Sequence, residues 1–144
     1  MKRVLFLCVA NACRSQMAEG FARALGADVV EAYSAGSNPS RAMHPDTVTA
    51  MQEVGIDLRG ARPKGLQQLP VQRFDIAVSL CEDSCPAAMA AEHRHWAIPN
   101  PDGLTPEQFR RVRDDIRRRT EQLIGELRSP NAERPTPNAP SKAR

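Results

Sequence analysis

Val4-Leu5-Phe6-Leu7-Cys8-Val9-Ala10-Asn11-Ala12-Cys13-Arg14-Ser15 is an apolar run that breaks into small and polar residues at its end. Residues 2–8 read as a strand buried on both faces, because the run from Val4 to Leu7 is continuous rather than alternating. Met17, Ala18, Phe21, Ala24 and Leu25 then recur at helical spacing, so residues 15–25 read as a helix with Gly26 as its stop. A tight turn therefore joins a buried strand to a helix N-terminus, with Cys8 at one end and Arg14-Ser15 at the other. Amides left free at a helix N-terminus point at an anion, and the helix dipole favours negative charge there. The same field favours the thiolate form of a cysteine. Arg14 adds a planar fork of donors matched to two oxygens of a phosphate-like group. Ser15 can hydrogen-bond the thiolate or cap the helix. Cysteine at a strand end is also a common small core hydrophobe, but C-x5-R-S at a strand-to-helix junction favours chemistry. Asn11, Ala12, Cys13, Arg14 and Ser15 are the expected oxyanion contacts, with Cys8 as nucleophile.

Outward from this loop the elements alternate. Val29–Ser34 reads as a second strand, closed by the turn-rich Ala35-Gly36-Ser37-Asn38-Pro39-Ser40. Pro45 opens a helix carrying Val48, Met51 and Val54, with Gly55 as its stop. A short helical stretch is expected near Leu66–Leu69 and a third strand over Phe74–Leu80. Residues 81–92 read as an alanine-rich loop or irregular helix, and Arg94–Ile98 as a short fourth strand. Residues 105–127 form the last helix, with Thr105 as N-cap, Pro106 in its first turn and Phe109, Val112, Ile116, Leu123, Ile124 and Leu127 on one face. Alternation of strand and helix predicts an α/β fold, a four-stranded parallel sheet with helices on both faces. Ligands in such sheets bind beyond the carboxyl ends of the strands. Cys8 ends the first strand and Cys81 follows the third, so both are expected on one rim.

The chain has 144 residues, enough for one domain, and residues 1–128 are read as that domain. Residues 129–144 contain four prolines and no large apolar side chain, and are read as a disordered tail. No run of 18 apolar residues exists, which argues against a membrane-spanning helix. Lys2-Arg3 before a short apolar run imitates a signal peptide but fits a first strand better, so a cytoplasmic location is expected. The net charge of +3 comes with only 4% aromatic residues, a poor match to a nucleic-acid surface. A monomer is the default expectation.

Cys81-Glu82-Asp83-Ser84-Cys85-Pro86 is the second motif. It can be a pair of buried thiols in a loop. A zinc reading adds His93 and His95, but C-x3-C-x7-H-x-H matches no common finger, and no metal is expected. A redox reading fits better, because residues four apart on a helical turn lie ~6 Å apart, within disulfide reach. With Cys8, the three thiols make a relay. Cys8 attacks a bound oxyanion, Cys81 attacks the Cys8 sulfur, and Cys85 attacks Cys81 and carries the disulfide outward to an external dithiol protein.

CVANACRSQMAEGF at 8–21 resembles the active-site loop of the low-molecular-weight tyrosine phosphatase superfamily, and QMAEGF at 16–21 resembles its thioredoxin-coupled arsenate reductase branch. YSAG at 33–36, GIDL at 55–58 and HWAIP at 95–99 belong to the same resemblance, which spans roughly residues 2–127. It implies Cys8, Arg14 and Ser15 as nucleophile, anion clamp and thiolate partner, Cys81 and Cys85 as resolving cysteines, and Asn11 as holder of the loop. It implies arsenate as substrate, thioredoxin as reductant and no resident cofactor. Arsenic(V), unlike phosphorus(V), accepts two electrons from thiols, so three cysteines favour arsenate over a phosphoester. The alternatives are a phosphatase for phosphotyrosine or other phosphoesters, and a non-catalytic oxyanion or redox sensor. Three departures accompany the resemblance. Asn100 stands before Pro101 where the family has an Asp proton donor, and Asp102 is the nearest substitute. The Cys81–Cys85 spacing is short. Some relatives hold a potassium ion near Asn11, Glu19 and Ser34, where the Lys64 ammonium of this chain is expected instead.

Overall fold

The computed structural model describes residues 1–81 and 89–129. Its strands are β1 (Lys2–Cys8), β2 (Val30–Gly36), β3 (Arg73–Ser79) and β4 (Met89–His95). Its α-helices are α1 (Arg14–Leu25), α2 (Pro45–Gln52) and α3 (Pro106–Arg128), and a 3₁₀ turn covers Leu66–Gln68. The sheet order is β2-β1-β3-β4 with every pairing parallel. The chain moves from β1 to β2 on one side and then to β3 on the other, so the topological switch point lies at β1. A crevice opens beyond the carboxyl end of the strand where the order reverses, and Cys8 is the last residue of that strand.

Burial follows from the run that opens the chain. Val4 and Phe6 pack with Met17 and Phe21 of α1, Met51 of α2 and Ile116 and Leu123 of α3. Leu5 and Leu7 point to the other face and pack with Ala35, Leu69, Phe74 and Ala77. Among the described residues that second face is covered by the 3₁₀ turn and its flanks, with Leu66 and Val71 laid on it, so the expected second layer of helix is one short turn. Both helices that enter with proline are capped. Thr105 accepts from the Gln108 amide while Gln108 Oε1 accepts from the Thr105 amide, a reciprocal box that satisfies two free donors. At α2 the cap is His44, whose Nδ1 accepts from the Asp46 amide at 3.2 Å.

The fourth strand differs from expectation. It runs Met89–His95 rather than Arg94–Ile98, so residues 89–92 are strand and not loop or helix. The apolar residues Trp96 and Ile98 suggested the later position, and they are indeed buried. They enter the core from the segment after the strand, whereas the ladder itself pairs Ile76 with Glu92 and Val78 with Arg94. An edge strand of a parallel sheet is defined by backbone pairing, which this stretch makes with only small or polar side chains from Ala90 to His95. Also, β2 continues two residues beyond Ser34, pairing Ala35 with Leu7 and Gly36 with Cys8. Residues 82–88, Cys85 among them, and the tail from 130 lie outside the described residues.

Candidate active site

The loop from Cys8 to α1 is held open from outside. The Cys8, Val9, Ala10 and Ala12 carbonyls accept from the Ser37, Asn38, Ser40 and His44 amides, and the Thr47 hydroxyl adds a second bond to the Ala12 carbonyl. With the carbonyls turned to this outer segment, the amides at the start of α1, which a helix leaves unpaired, are left for the pocket. Ala12, Cys13 and Arg14 line it. Asn11 takes a left-handed backbone, φ +52°, a conformation asparagine tolerates better than most residues. Gly36 makes this packing feasible. A methyl group there would lie 2.4 Å from the Val9 carbonyl and 2.9 Å from the Asn11 amide.

The Asn11 side chain organises a directed chain of hydrogen bonds. Its Oδ1 accepts from Gln16 Nε2 and from the Lys64 amide, each at 3.0 Å. Its Nδ2 donates to Ser15 Oγ at 2.7 Å. A hydroxyl that accepts there has its one proton to give elsewhere, and Cys8 Sγ lies 2.9 Å away. The Asn11 amide also donates to Cys8 Sγ at 3.3 Å. Both bonds run toward the sulfur, the polarity an anionic sulfur takes. Ser15 therefore serves Cys8 and not the helix, whose N-cap Cys13 makes no side-chain cap bond.

Arg14 is fixed across the site. Its Nη1 donates to the Leu80 carbonyl at 3.2 Å and the Ile98 carbonyl at 3.0 Å. The guanidinium thus joins the end of β3 to the segment after β4, and its remaining donors have no protein acceptor among the described residues. The pocket measures about 580 Å³ and brings together Cys8, Arg14, His44, Cys81, Asn100 and Asp102. Cys81 lies two residues beyond the end of β3. It is disulfide-bonded, while Cys8 and Cys13 are free thiols. Cys85, the other expected resolving cysteine, lies outside the described residues.

The remaining expected residues fall as follows. Burial pushes the Cys13 thiol up to about 12, against the opposing hydrogen bond of Thr47, which makes it a poor nucleophile and an inert wall of the loop. The Asn100 side chain forms a turn, Oδ1 accepting from the Asp102 amide at 3.0 Å. Asp102 is exposed at the pocket mouth, its carboxylate 3.7 Å from His44 Nε2. Beside the loop, Lys64 Nζ stands 3.6 Å from Glu19 Oε1 and 3.4 Å from Ser34 Oγ. Ser34 hydrogen-bonds Glu19, and Arg23 pairs with the other Glu19 oxygen at 2.8 Å. A potassium ion does not fit among these groups without displacing the ammonium, and no chemical step is derived through one. Among the described residues no cluster of three His, Cys, Asp or Glu can hold a metal ion, and no helix is long and apolar enough to cross a membrane.

Three contributors escaped the sequence. Gly36 stood in a turn-rich stretch, although a glycine paired beside the end of β1 is a signal of close backbone approach. Thr47 and His44 lie well away from the loop in sequence and reach it only because α2 starts against it.

A thiol receiving hydrogen bonds, an arginine and a helix N-terminus around one pocket are the parts that a phosphatase-type oxyanion site requires. Residues 3–133 match the low molecular weight phosphotyrosine protein phosphatase family, and the chain belongs to that family. Among its relatives, a glutaredoxin arsenate reductase of Synechocystis is 38% identical over 133 residues, covering 88% of this chain and 99% of that protein. An arsenate reductase of Halalkalibacterium halodurans is 39% identical over 128 residues, covering 82% and 91%. A solved structure of an arsenate reductase in the phosphate-binding state superposes with a TM-score of 0.80 at 38% identity, covering 88% of this chain and 99% of that one.

Proposed function

We propose that this chain is an arsenate reductase that converts arsenate to arsenite for arsenic detoxification, as a cytoplasmic monomer whose catalytic domain is residues 1–128. The observation that carries the reading is a disulfide-bonded Cys81 lining the same pocket as a free Cys8. Two sulfurs on one pocket wall are what the first exchange of a thiol relay needs. The Cys8 thiolate attacks arsenic held by the loop amides and Arg14, and an oxygen leaves as water. Cys81 attacks the Cys8 sulfur, and the electron pair of the sulfur–arsenic bond passes to arsenic, which leaves as arsenite. Cys85 then attacks Cys81, freeing Cys8, and an external thiol protein reduces the Cys81–Cys85 disulfide.

Thioredoxin is the reductant we favour, because Cys85 supplies the third thiol internally. The Synechocystis relative named for glutaredoxin makes glutaredoxin its direct rival. The deciding experiment measures arsenate-dependent oxidation of thioredoxin, glutaredoxin and small thiols side by side, for wild type and Cys85→Ser. Turnover lost in Cys85→Ser with a protein reductant supports the relay, and full turnover sinks it. Lys64 in the cation position further leads us to expect a rate indifferent to exchanging potassium for sodium.

The family match keeps a phosphatase reading in view. It requires Cys8 and Arg14 but neither Cys81 nor Cys85. Efficient hydrolysis of p-nitrophenyl phosphate without arsenate reduction would establish it. Oxyanion binding and thiol oxidation with neither turnover would mark a sensor.

A further inference from the structure

We propose that Gln16 is a positioning residue for Cys8, fixing the direction of the hydrogen bonds that end on its sulfur. Only a reactive Cys8 sulfur is presupposed, so the role holds for a reductase and a phosphatase alike.

Ser15 helps Cys8 only while its hydroxyl proton points at the sulfur. That direction depends on the Asn11 side chain. A hydroxyl that accepts from Asn11 Nδ2 has its proton to give to Cys8 Sγ. A hydroxyl facing Asn11 Oδ1 would donate there instead. The oxygen and the nitrogen of an asparagine amide are close in size, so packing alone does not choose between the two orientations. A group that cannot itself turn has to choose.

Gln16 supplies the connection to such a group. It is buried in the first turn of α1. Its Nε2 carries two hydrogens. One goes to Asn11 Oδ1 and the other to the Arg62 carbonyl, each at 3.0 Å. A main-chain carbonyl only accepts. Were the Gln16 amide reversed, its oxygen would face the Arg62 oxygen and neither could donate. Nε2 is thereby committed, and what it offers Asn11 is a proton. Asn11 meets it with Oδ1, which also accepts from the Lys64 amide at 3.0 Å, a main-chain group that only donates. Nδ2 is left to face Ser15.

The polarity at the sulfur is therefore set by two main-chain groups of the segment 62–64. Lys64 acts on Asn11 directly, and Gln16 transmits the constraint from Arg62. The segment is itself tied to the sheet beside the nucleophile. The Lys64 carbonyl accepts from the Gly36 amide at 2.9 Å, and Gly36 pairs with Cys8 across β1 and β2. Gln16 thus acts on Cys8 through Asn11 and Ser15 in turn, and its effect requires the Ser15 hydroxyl.

The test is a double-mutant cycle. The readout is the rate at which iodoacetamide alkylates Cys8 in the reduced protein at neutral pH, with the Cys8 peptide followed by mass spectrometry. The proteins are wild type, Gln16→Met, Ser15→Ala and the double variant, each shown to be folded by urea unfolding. Methionine keeps the bulk of the glutamine and removes its donors. Gln16→Met lowers the rate about fivefold, the scale of one net hydrogen bond, because only the Lys64 amide then holds Asn11. In the Ser15→Ala background the same substitution changes the rate by less than about twofold, the scatter of independent effects. An unchanged rate in Gln16→Met overturns the proposal. So does an equal fall in both backgrounds, which marks a general disturbance of the loop rather than a turned hydroxyl. Gln16→Glu is a second variant that keeps the shape and polarity of the side chain, so the outcome does not rest on how methionine packs. It sets an acceptor against Asn11 Oδ1 and the Arg62 carbonyl, and the rate falls further with Ser15 present than in Ser15→Ala. Equal falls, the mark of the added charge alone, overturn the proposal. The assay contains no arsenate, so a wild type that reduces none defeats the function reading and not this one.

Discussion

Cys8 and Cys13 stand on the same loop and are almost equally hidden, 3% and 8% exposed, yet the fold treats them oppositely. Cys8 receives hydrogen bonds from the Asn11 amide and the Ser15 hydroxyl and opens on the pocket shared with Arg14 and Cys81. Cys13 also lines that pocket, but its side chain is bonded to Thr47 and burial pushes its thiol to about 12. Accessibility therefore does not tell the two sulfurs apart. What does is the number of donors aimed at the sulfur, which the loop supplies to one position and withholds from the other. The largest effect follows directly. Cys8→Ser lowers arsenate turnover by ~10³-fold or more, the scale of losing a covalent nucleophile. Cys13→Ser keeps most of it. Equal losses in the coupled assay would break the distinction.

The second prediction attacks the scaffold that aims those donors. Gly36→Ala puts a methyl group into the Val9 carbonyl and the Asn11 amide, so either β2 or the loop must shift. A shift of about 1 Å at a positioned group costs ~100-fold in rate, and overpacking costs about 1–3 kcal/mol. Urea unfolding and turnover measured together check it. A variant of full activity would mean that the loop tolerates displacement and that donor geometry is not what separates the two cysteines.

This asymmetry also marks how far the sequence could be read. The apolar run of β1, the C-x5-R-S pattern and the position of Cys81 after β3 are local signals, and each led to the pocket. The fourth strand was read at the buried Trp96 and Ile98, because hydrophobicity was the only local signal and β4 pairs through its backbone while its side chains from Ala90 to His95 are small or polar. Gly36, His44 and Thr47 carry no motif of their own. They touch the loop because two other elements end beside it, and such proximity is a property of packing. The role of Ser15 was open between cap and thiol partner until the Asn11 side-chain Nδ2, donating to its hydroxyl, fixed the direction of its proton.

A narrower test isolates a single donor. Ser15→Ala removes the hydroxyl from Cys8 and leaves the Asn11 amide in place. A hydrogen bond to a charged group is worth about 1.5–3 kcal/mol, so the rate of Cys8 alkylation by iodoacetamide at neutral pH falls about tenfold. Serine restored as threonine recovers most of that loss, since the hydroxyl returns. An alkylation rate unchanged in Ser15→Ala would assign the whole activation to the loop amides.

The smallest effect concerns Cys13 and appears in stability. Its thiol titrates at about 12 in the fold, against an ordinary value of 9.0. The neutral form is therefore favoured by the folded state, because burial strips solvent from the charged one. Below the unfolded value both states hold the proton, and the stabilisation is fully present. As pH rises past 9.0 the unfolded chain releases this proton while the fold retains it, so stability falls until the folded thiol ionises near 12. The slope from one such group is at most about 1.4 kcal/mol per pH unit. Cys13→Ala removes that contribution, and its stability measured by urea unfolding declines less steeply over the same interval. Cys8→Ala serves as the reference, since it leaves Cys13 and its buried environment in place and retains the wild-type alkaline loss from that group. Parallel slopes for wild type and Cys13→Ala would show that the buried thiol is not what the alkaline fold loses, and would leave the hydrogen bonds at Cys8 as the sole ground for telling the two cysteines apart.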